Sequence, residues 1–420
     1  MISRYIAGAV RRSVAAMMAV FVATGLNAQE QLAGARLLEP QNPALPEYLA
    51  PAIDAQFATT FVRITEAGRL LGEGVRCGPT HCRHRYSSTQ AWNADQSLIL
   101  IAKGCRADLC FLDGRTFAAR FWRRLPLQHD CKWHPRDPET MICVRGGAIE
   151  LWEPRTNRWT TAYRADGYAE LSFGPYKGNP SRDGNRIAVR ARDGRNELVA
   201  FVFDFVARAK GPDIRLSALE AQNQYVTVSP SGNYIYVAQL SAEGREPAYV
   251  FTTEGIQVQH WPEHHRPGHG DLTTDTDGED VYVGISKAPP DKYHVISRRL
   301  IDGKVTVLAP YGAASHVSAR NVDWPGWVFV TYQGAHARVG GNRYPAPFYR
   351  EVVAMRIDGS GEIIRIASTN SAEHDYIAET HASPSPDGAR VVWSSNWGEP
   401  GGPVSDFVTV VPRRQAAAAR

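Results

Sequence analysis

The sequence predicts an all-β fold, a seven-bladed β-propeller made of four-stranded antiparallel blades. Two observations lead to this prediction: a turn signal that recurs along the chain, and the β-rich segments that follow each occurrence. One blade of four short strands takes roughly 40–50 residues, which matches the spacing of the repeat. We expect a strand from the N-terminal part of the chain to close the ring.

The turn signal is a short polar segment centred on Asp or Ser, residue types that hydrogen-bond locally in tight turns. Its seven centres are Asp95, Asp137, Asp183, Ser231, Asp277, Asp323 and Asp387, at spacings of 42, 46, 48, 46, 46 and 64 residues. Such even spacing favours one ring of repeats over the alternative of two separate β-sandwiches. The long last interval contains an insertion at 334–348 that is rich in Gly, Pro and Arg, and we expect it to form a loop over one face.

The segments after the turns are rich in β-branched and aromatic residues, which is typical of strands. Second strands are predicted at 98–101, 234–237, 281–283, 327–330 and 391–393, third strands at 149–152, 198–203, 248–251 and 352–355, and fourth strands at 305–308 and 363–366. The last turn leaves room for only two more strands. The segment 60–64 is therefore predicted to complete the last blade, which leaves no open sheet edge.

The first 28 residues have the pattern of a secretory signal peptide: three arginines, a short apolar run and a small residue at the end. An uncleaved anchor is the alternative. The predicted organisation is a signal peptide at 1–28, an N-terminal extension at 29–54, the propeller at 55–412 and a C-terminal tail at 413–420. Export predicts a periplasmic or secreted protein, with no membrane span after cleavage, because no other segment approaches about 20 apolar residues.

All six cysteines lie between Cys77 and Cys143, and an oxidising compartment favours disulfides among them. Pairing of nearest neighbours would give three bonds that staple the first two blades, Cys77–Cys82, Cys105–Cys110 and Cys131–Cys143. Other connectivities are formally open. A metal site around Cys77 and Cys82 is a further alternative, but its spacing does not match a zinc motif.

The charge balance argues against a nucleic-acid partner. Without the first 28 residues the chain would carry 44 basic and 43 acidic residues, so any attraction for an anion must be local. A phosphate-binding glycine loop and a nucleophilic serine elbow are both missing from the sequence, so we expect no organic cofactor.

A histidine or tyrosine recurs six to eight residues before the turns. The set is His129, Tyr176, Tyr225, His269, His316 and His381, and the first repeat has Ser87-Ser88-Thr89 there instead. The strand that leads into each turn is the innermost of its blade, so equivalent positions converge on one end of the propeller. Convergent titratable groups predict an active site, although each side chain could instead pack under a loop.

Two chemistries fit this ring. His269, His316 and His381, with Asp271 or Glu379, could bind a divalent metal such as Zn, Mn or Ca. The other is acid–base catalysis, in which a neutral His takes a proton, a Tyr donates one and an Arg pairs with a carboxylate. This second set suits β-elimination from a uronic-acid polymer, because an Arg or a metal beside the C6 carboxylate stabilises the charge that develops when the C5 proton leaves.

The segment 379–397 resembles the closing blade of TolB-like propellers, a group that includes two kinds of seven-bladed polysaccharide lyase, oligogalacturonate lyase and the ulvan lyases. The segments 268–271 and 315–318 are similar to segments of such chains as well. The resemblance covers about residues 55–412, and its turn motifs indicate the fold far more specifically than the function. It implies a lyase whose partner is an anionic polysaccharide or oligosaccharide.

The resemblance to ulvan lyases also implies roles for single residues. Tyr176 and Arg192 match a Tyr and an Arg sixteen residues apart in those enzymes, and His129 and His269 are similar to histidines on neighbouring blades. Those enzymes have one more histidine about twenty residues before the one that His129 resembles, and this chain has Asp108 and Leu109 in that stretch. Oligogalacturonate lyase binds manganese through three His and a Gln; here His381 is similar, but Glu379 is not a Gln.

The leading hypothesis is therefore a lyase that cleaves a uronate-containing glycan. Tyr176 would be the acid and could also be the base, His129 or His269 the base or charge neutraliser, and Arg192 the partner of the carboxylate. Further residues are expected in two sets: Lys177, Tyr225 and Arg320 to bind substrate, and His269, His316, His381 and Glu379 to bind metal. The alternatives are a non-catalytic scaffold that binds a protein or a glycan, and a metal-dependent hydrolase.

Overall fold

The computed structural model describes residues 37–412 except 106–107, 127–129, 175–176, 220–223, 240–246, 263–264, 340–341 and 373–374. These residues form seven antiparallel blades arranged as a propeller, so the predicted fold class is confirmed. Across the described ranges the only helical element is a 3-10 turn at Leu216–Ala218. No helix in them is long and apolar enough to span a membrane.

Five short strands precede blade 1: β1 (Pro51–Asp54), β2 (Thr59–Arg63), β3 (Leu70–Gly72), β4 (Val75–Arg76) and β5 (His81–Cys82). Blade 1 contains β6 (Leu98–Cys105), β7 (Asp108–Asp113) and β8 (Ala119–Arg123), and a bridge from Trp92 to Ile99 adds its inner edge. Blade 2 contains β9 (Asp130–Trp133), β10 (Met141–Arg145), β11 (Ala148–Glu153) and β12 (Arg158–Arg164).

Blades 3 to 5 follow the same order from the inner to the outer strand. Blade 3 contains β13 (Ala169–Ser172), β14 (Arg186–Arg192) and β15 (Leu198–Asp204), with the short β16 (Ala209–Lys210) and β17 (Ile214–Arg215) both on its outer edge. Blade 4 contains β18 (Gln224–Val228), β19 (Tyr234–Gln239), β20 (Ala248–Thr252) and β21 (Gln257–Trp261). Blade 5 contains β22 (Gly268–Thr274), β23 (Asp280–Ile285), β24 (Val295–Arg299) and β25 (Val305–Ala309).

Blade 6 carries the insertion. It contains β26 (Ala314–Ser318), β27 (Trp327–Tyr332), β30 (Glu351–Arg356) and β31 (Ile363–Ser368), and the chain between β27 and β30 forms a separate two-stranded ribbon, β28 (His336–Val339) and β29 (Asn342–Pro345). The segment expected to be a loop is thus a paired ribbon, in which the two strands satisfy each other's backbone hydrogen bonds.

The last blade joins both parts of the chain. Its inner strands are β32 (Ser383–Pro384), β33 (Arg390–Ser395) and β34 (Val404–Val410). Strand β2 pairs antiparallel with β34, with Phe61 opposite Thr409, and β1 adds a fifth strand outside it. The predicted closure by an N-terminal strand is therefore confirmed.

The turns and the disulfides follow the predicted chemistry. In the last turn, one carboxylate oxygen of Asp387 accepts hydrogen bonds from the Ser385 hydroxyl at 2.7 Å and the Ala389 amide at 3.0 Å. The cysteines pair as nearest neighbours, Cys77–Cys82, Cys105–Cys110 and Cys131–Cys143, which removes them as metal ligands.

Polar contacts between separate blades fill the axis of the ring. The carbonyl groups of Ser87, Ser88 and Thr89 on blade 1 accept hydrogen bonds from other blades, at 2.5 Å from the Ser318 hydroxyl, 2.9 Å from the Asn179 amide and 3.1 Å from the Ser383 hydroxyl. The Ser-Ser-Thr segment of the first repeat thus ties blades 3, 6 and 7 together.

Candidate functional site

Three of the predicted side chains meet at one end of the propeller, one on the inner strand β26 and two in the segment that leads into β32. Suitable ligand atoms of His316, Glu379 and His381 all lie within 4.8 Å of one another. The Oε2 atom of Glu379 is 3.0 Å from Nε2 of His381 and 3.5 Å from Nε2 of His316. Both imidazoles are buried, whereas the Glu379 side chain is 35% exposed, so the cluster opens to solvent on its carboxylate side.

His269 from blade 5 extends this cluster outward. Its Nδ1 atom is 3.4 Å from Nε2 of His316, and the two rings meet edge to face with centroids 5.1 Å apart. Unlike His316, His269 is exposed. His269 and His381 both have left-handed backbone angles, φ 49° and 46°, which are uncommon outside glycine and persist only where surrounding structure enforces them.

A buried ion pair enforces the conformation of His381. The Nε2 atom of His84 is 2.7 Å from the carbonyl oxygen of His381, and its Nδ1 atom is 2.9 Å from Oδ1 of Asp406. Because both nitrogens face oxygen acceptors, the ring donates from both. Neither His84 nor Asp406 is measurably exposed. The pair therefore fixes the backbone on which a site residue is carried.

Arg83 sets the tautomer of His381. Its guanidinium contacts Nδ1 of His381 and the carbonyl oxygen of Ile377. A guanidinium only donates, so Nδ1 must accept, and the neutral ring then carries its proton on Nε2, the atom that faces Glu379. Histidines that bind metals usually donate through the second nitrogen to an acceptor. Arg83 reverses this arrangement.

Burial keeps the two inner imidazoles neutral. It lowers the pKa of His316 well below the ordinary value, and the neighbouring His269 and Arg83 lower this pKa further. Burial likewise lowers the pKa of His381 well below its usual range, with added effects from His316 and Arg83. Both rings therefore offer neutral imidazole chemistry at neutral pH.

Two tyrosines complete the wall around the histidines. The ring of Tyr86 lies 5.3 Å from the ring of His316 and 4.7 Å from that of His381, and the half-exposed Tyr376 lies 5.0 Å from His381. Lys103 lies over Tyr376, and burial lowers the pKa of this lysine to about 8. Tyr86 is nine residues before Asp95, so the first repeat also carries an aromatic residue, one position beyond the spacing of six to eight residues in the other repeats.

The three predicted substrate-binding residues are buried. The buried Lys177 donates through Nζ to the carbonyl oxygen of Gly270, and burial lowers its pKa to about 8. Tyr225 is 1% exposed and packs in the core of blades 4 and 5. Arg320 makes a two-pronged ion pair with Asp271 at 2.8 and 2.9 Å, which occupies the alternative metal ligand of the sequence analysis.

The remaining candidates are not brought into this cluster by any described contact. His129 and Tyr176 lie outside the described residues. Arg192 ends strand β14 in an exposed position, and its guanidinium donates to the carbonyl oxygen of Asn196 in its own hairpin, at 3.1 Å. Arg83, His84 and Asp406 were missed because the repeat pattern contains no signal for residues that reach the site from the closing strands.

The cluster offers the ligand set for a divalent ion. The Nε2 atoms of His316 and His381 both face the Glu379 carboxylate, at 3.5 and 3.0 Å. Two imidazoles and one carboxylate suit Zn²⁺ or Mn²⁺, whereas Ca²⁺ prefers oxygen ligands only. The ligand atoms therefore fit such an ion, and the contact between Arg83 and His381 is the one feature that opposes it.

Comparison with solved structures gives the fold two well-defined neighbours. An oligogalacturonate lyase in complex with manganese superposes with a TM-score of 0.58 at 15% identity, over 89% of this chain and 99% of that one. The oligogalacturonate lyase of Vibrio parahaemolyticus gives 0.56 at 11% identity, over 87% and 96%. At such identities the likeness establishes the propeller fold alone. No protein-family profile and no curated protein matches the sequence.

Proposed function

We propose that this protein is a polysaccharide lyase that cleaves a uronate-containing glycan by β-elimination at its histidine end. The observation that supports this most is the placement of exposed His269 directly against the buried cluster of His316, Glu379 and His381. Both fold neighbours are oligogalacturonate lyases, and one was solved with manganese, which adds support to a saccharide lyase with a divalent ion.

In this proposal His269 is the base. It takes the C5 proton of the uronate, the electron pair of that C–H bond forms the C4–C5 double bond, and the C4–O4 bond breaks. His316 lies directly against this base, with its Nε2 atom 3.4 Å from Nδ1 of His269.

Tyr176 remains the proposed acid for the departing O4. It precedes Lys177, whose ammonium is bonded to the Gly270 carbonyl, and Gly270 follows His269. Lys177, the residue after the proposed acid, thus contacts the residue after the proposed base. Arg192 remains a proposed carboxylate partner, and Lys103 is a second cation, next to Tyr376 beside the cluster. His129 stays an alternative base.

A divalent ion held by His316, Glu379 and His381 would supply Lewis-acid stabilisation of the carboxylate charge that develops as the C5 proton leaves. The protein's own residues bind and orient the substrate around that point. Tyr376 and Tyr86 provide ring faces beside the cluster.

The test is ultraviolet absorbance during incubation with pectate, ulvan, alginate and glycosaminoglycans, with and without a chelator. A lyase leaves a 4,5-unsaturated uronate, whose conjugated double bond absorbs ultraviolet light. We expect a rise with at least one polymer. Arg192→Ala can be compared with Arg195→Ala, an exposed arginine in the same hairpin. A flat trace with all four polymer classes, at several pH values and with Mn²⁺ added, would rule out the proposal.

A further inference from the structure

The inserted ribbon stands beside the histidine end. Its base is held by the Ala313 carbonyl oxygen, which accepts hydrogen bonds from the Gly334 amide at 3.2 Å and the Gln333 amide at 3.4 Å. The Gln333 side chain in turn accepts a bond of 3.0 Å from the Ser315 hydroxyl. Ser315 precedes His316, so the ribbon begins next to the site.

Four residues of the ribbon and the neighbouring loop form a surface that we call the ribbon patch: Lys292, Tyr293, Arg338 and Arg343. The guanidinium of Arg338 is 5.6 Å and the ammonium of Lys292 is 5.2 Å from the centre of the Tyr293 ring. The Cβ position of Gly312 would lie 3.2 Å from Tyr293 and 3.1 Å from the Arg338 amide. Since Gly312 is four residues before His316, the backbone between them spans at most about 14 Å.

The ribbon patch places three positive charges close together, an arrangement that is unfavourable for the stability of the fold. Arg338 and Arg343 are directly opposite each other in the ribbon, and like charges in that relation repel. Lys292 adds a third cation. Within the described part of the chain, no carboxylate forms an ion pair with any of the three. All three side chains are exposed. An arrangement of this kind is relieved by an anion from outside the protein.

Tyr293 gives the patch a second property. It is 38% exposed, and its backbone has φ 75°, a conformation that is unfavourable for a bulky residue. The strained backbone places an aromatic ring at the surface between two cations. An amphipathic ring beside cations suits a ligand that combines apolar ring faces with carboxylates.

We propose that the ribbon patch is an additional subsite that binds the carboxylates of an acidic oligosaccharide, several sugar units away from the reaction centre. The inference rests on the proposed function for its substrate class. It extends that function, because it assigns chain-length preference to the insertion of blade 6. Substrates long enough to reach both the cluster and the ribbon patch gain binding energy that a disaccharide does not.

The experiment is calorimetric titration of the full chain with digalacturonate and with hexagalacturonate, at low and at moderate salt. The variant is Arg338→Ala/Arg343→Ala. The matched control is Arg115→Ala/Arg208→Ala, which removes two exposed arginines from turns at the opposite end. We expect the ribbon variant to bind hexagalacturonate about tenfold more weakly at low salt, to bind digalacturonate as before, and to lose most of the salt dependence. The control should match the wild type.

The outcomes separate this inference from the proposed function. An equal loss for both ligands, unchanged hexagalacturonate affinity, or no hexagalacturonate binding by the wild type would each overturn the subsite. Tighter binding of a single-stranded oligonucleotide than of hexagalacturonate would overturn it too. Length-dependent binding that the ribbon variant loses, without cleavage of any uronate polymer, would support the subsite and contradict only the lyase activity.

Discussion

The two ends of this propeller are built in different ways. At the turn end, the turns themselves are closed by contacts within a few residues: Ser181 and Asn185 bind Asp183, just as Ser385 and Ala389 bind Asp387. At the histidine end, the decisive contacts join residues about three hundred positions apart, Arg83 with His381 and His84 with Asp406. The chemistry is thus concentrated where the structure depends on ring closure. Local repeats provide the frame, and the closing strands complete the site.

The largest effect is expected from the exposed imidazole of the cluster. His269→Ala should lower the proposed lyase activity by about 10²–10⁴-fold, because it removes the base. It should leave the melting temperature almost unchanged, since the side chain is exposed. His260→Ala, on the exposed outer strand β21, is the control. Initial rates on the best polymer check the prediction, and a fully active His269→Ala variant would contradict the proposed base.

The next effect concerns the ion pair that fixes His381. His84→Leu leaves the buried Asp406 carboxylate without its charged partner, which should cost about 3–5 kcal/mol of unfolding free energy. The double variant His84→Leu/Asp406→Leu should recover much of that stability in denaturant titrations. It should stay low in activity, because the His381 carbonyl has still lost its donor. Recovery of both the stability and the activity in the double variant would show that the pair of His84 and Asp406 has no positioning role.

Arg83 tests the metal question. Arg83→Gln removes the cation and presents a side-chain oxygen that can accept a hydrogen bond from His381 Nδ1, the usual arrangement for a metal-binding histidine. We expect about tenfold tighter binding of Mn²⁺ or Zn²⁺ by titration calorimetry. Wild-type protein and a His316→Ala variant serve as references. Weaker binding than wild type would show that Arg83 supports the ion instead of opposing it.

A buried lysine links stability to pH outside the cluster. Lys132 on β9 is 2% exposed, and burial lowers its pKa to about 8, only partly offset by Asp130. The unfolded chain holds this proton up to about pH 10.4. Between these values the folded state binds fewer protons, so the stability contributed by Lys132 rises with pH.

Lys132→Met should remove that rise. Comparing the unfolding free energies of variant and wild type at pH 7 and pH 10 should reveal a difference of at most about 3 kcal/mol. Asp130 keeps its 2.7 Å ion pair with Arg85 in the variant. Parallel pH profiles would mean that the lysine is not desolvated as the fold indicates.

The smallest effect is expected at the turn end. Arg136 of blade 2 reaches across to Asp323 of blade 6, with 2.5 Å between nitrogen and oxygen, and both side chains are partly exposed. Arg136→Ala should cost only about 0.2–1 kcal/mol, because an exposed ion pair is screened. Activity should not change. A large loss of activity would show that the two ends are coupled, contrary to the comparison above.

The sequence by itself predicted the blade count, most strands and the closing N-terminal strand, and it favoured the disulfide pairing that the structure shows. These features depend on short-range patterns: turn residues at fixed offsets and β-rich segments within each repeat. It also indicated His316, His381 and Glu379, because equivalent positions of a ring converge. The tyrosine of the first repeat, Tyr86, was within one residue of that pattern.

Only the tertiary structure decided which side chains touch. The closing strands bring Arg83 and His84 against His381, and no periodicity connects positions so far apart. Tyr225 has the spacing of a site residue, yet it is buried in the core. Arg320 lies close to His316 in the sequence, yet it is buried in an ion pair with Asp271. The insertion reads as a loop in sequence, but its strands pair and set Arg338 opposite Arg343. Hydrogen bonds and ligand sets depend on distances of a few ångströms between blades, and ring closure alone determines those distances.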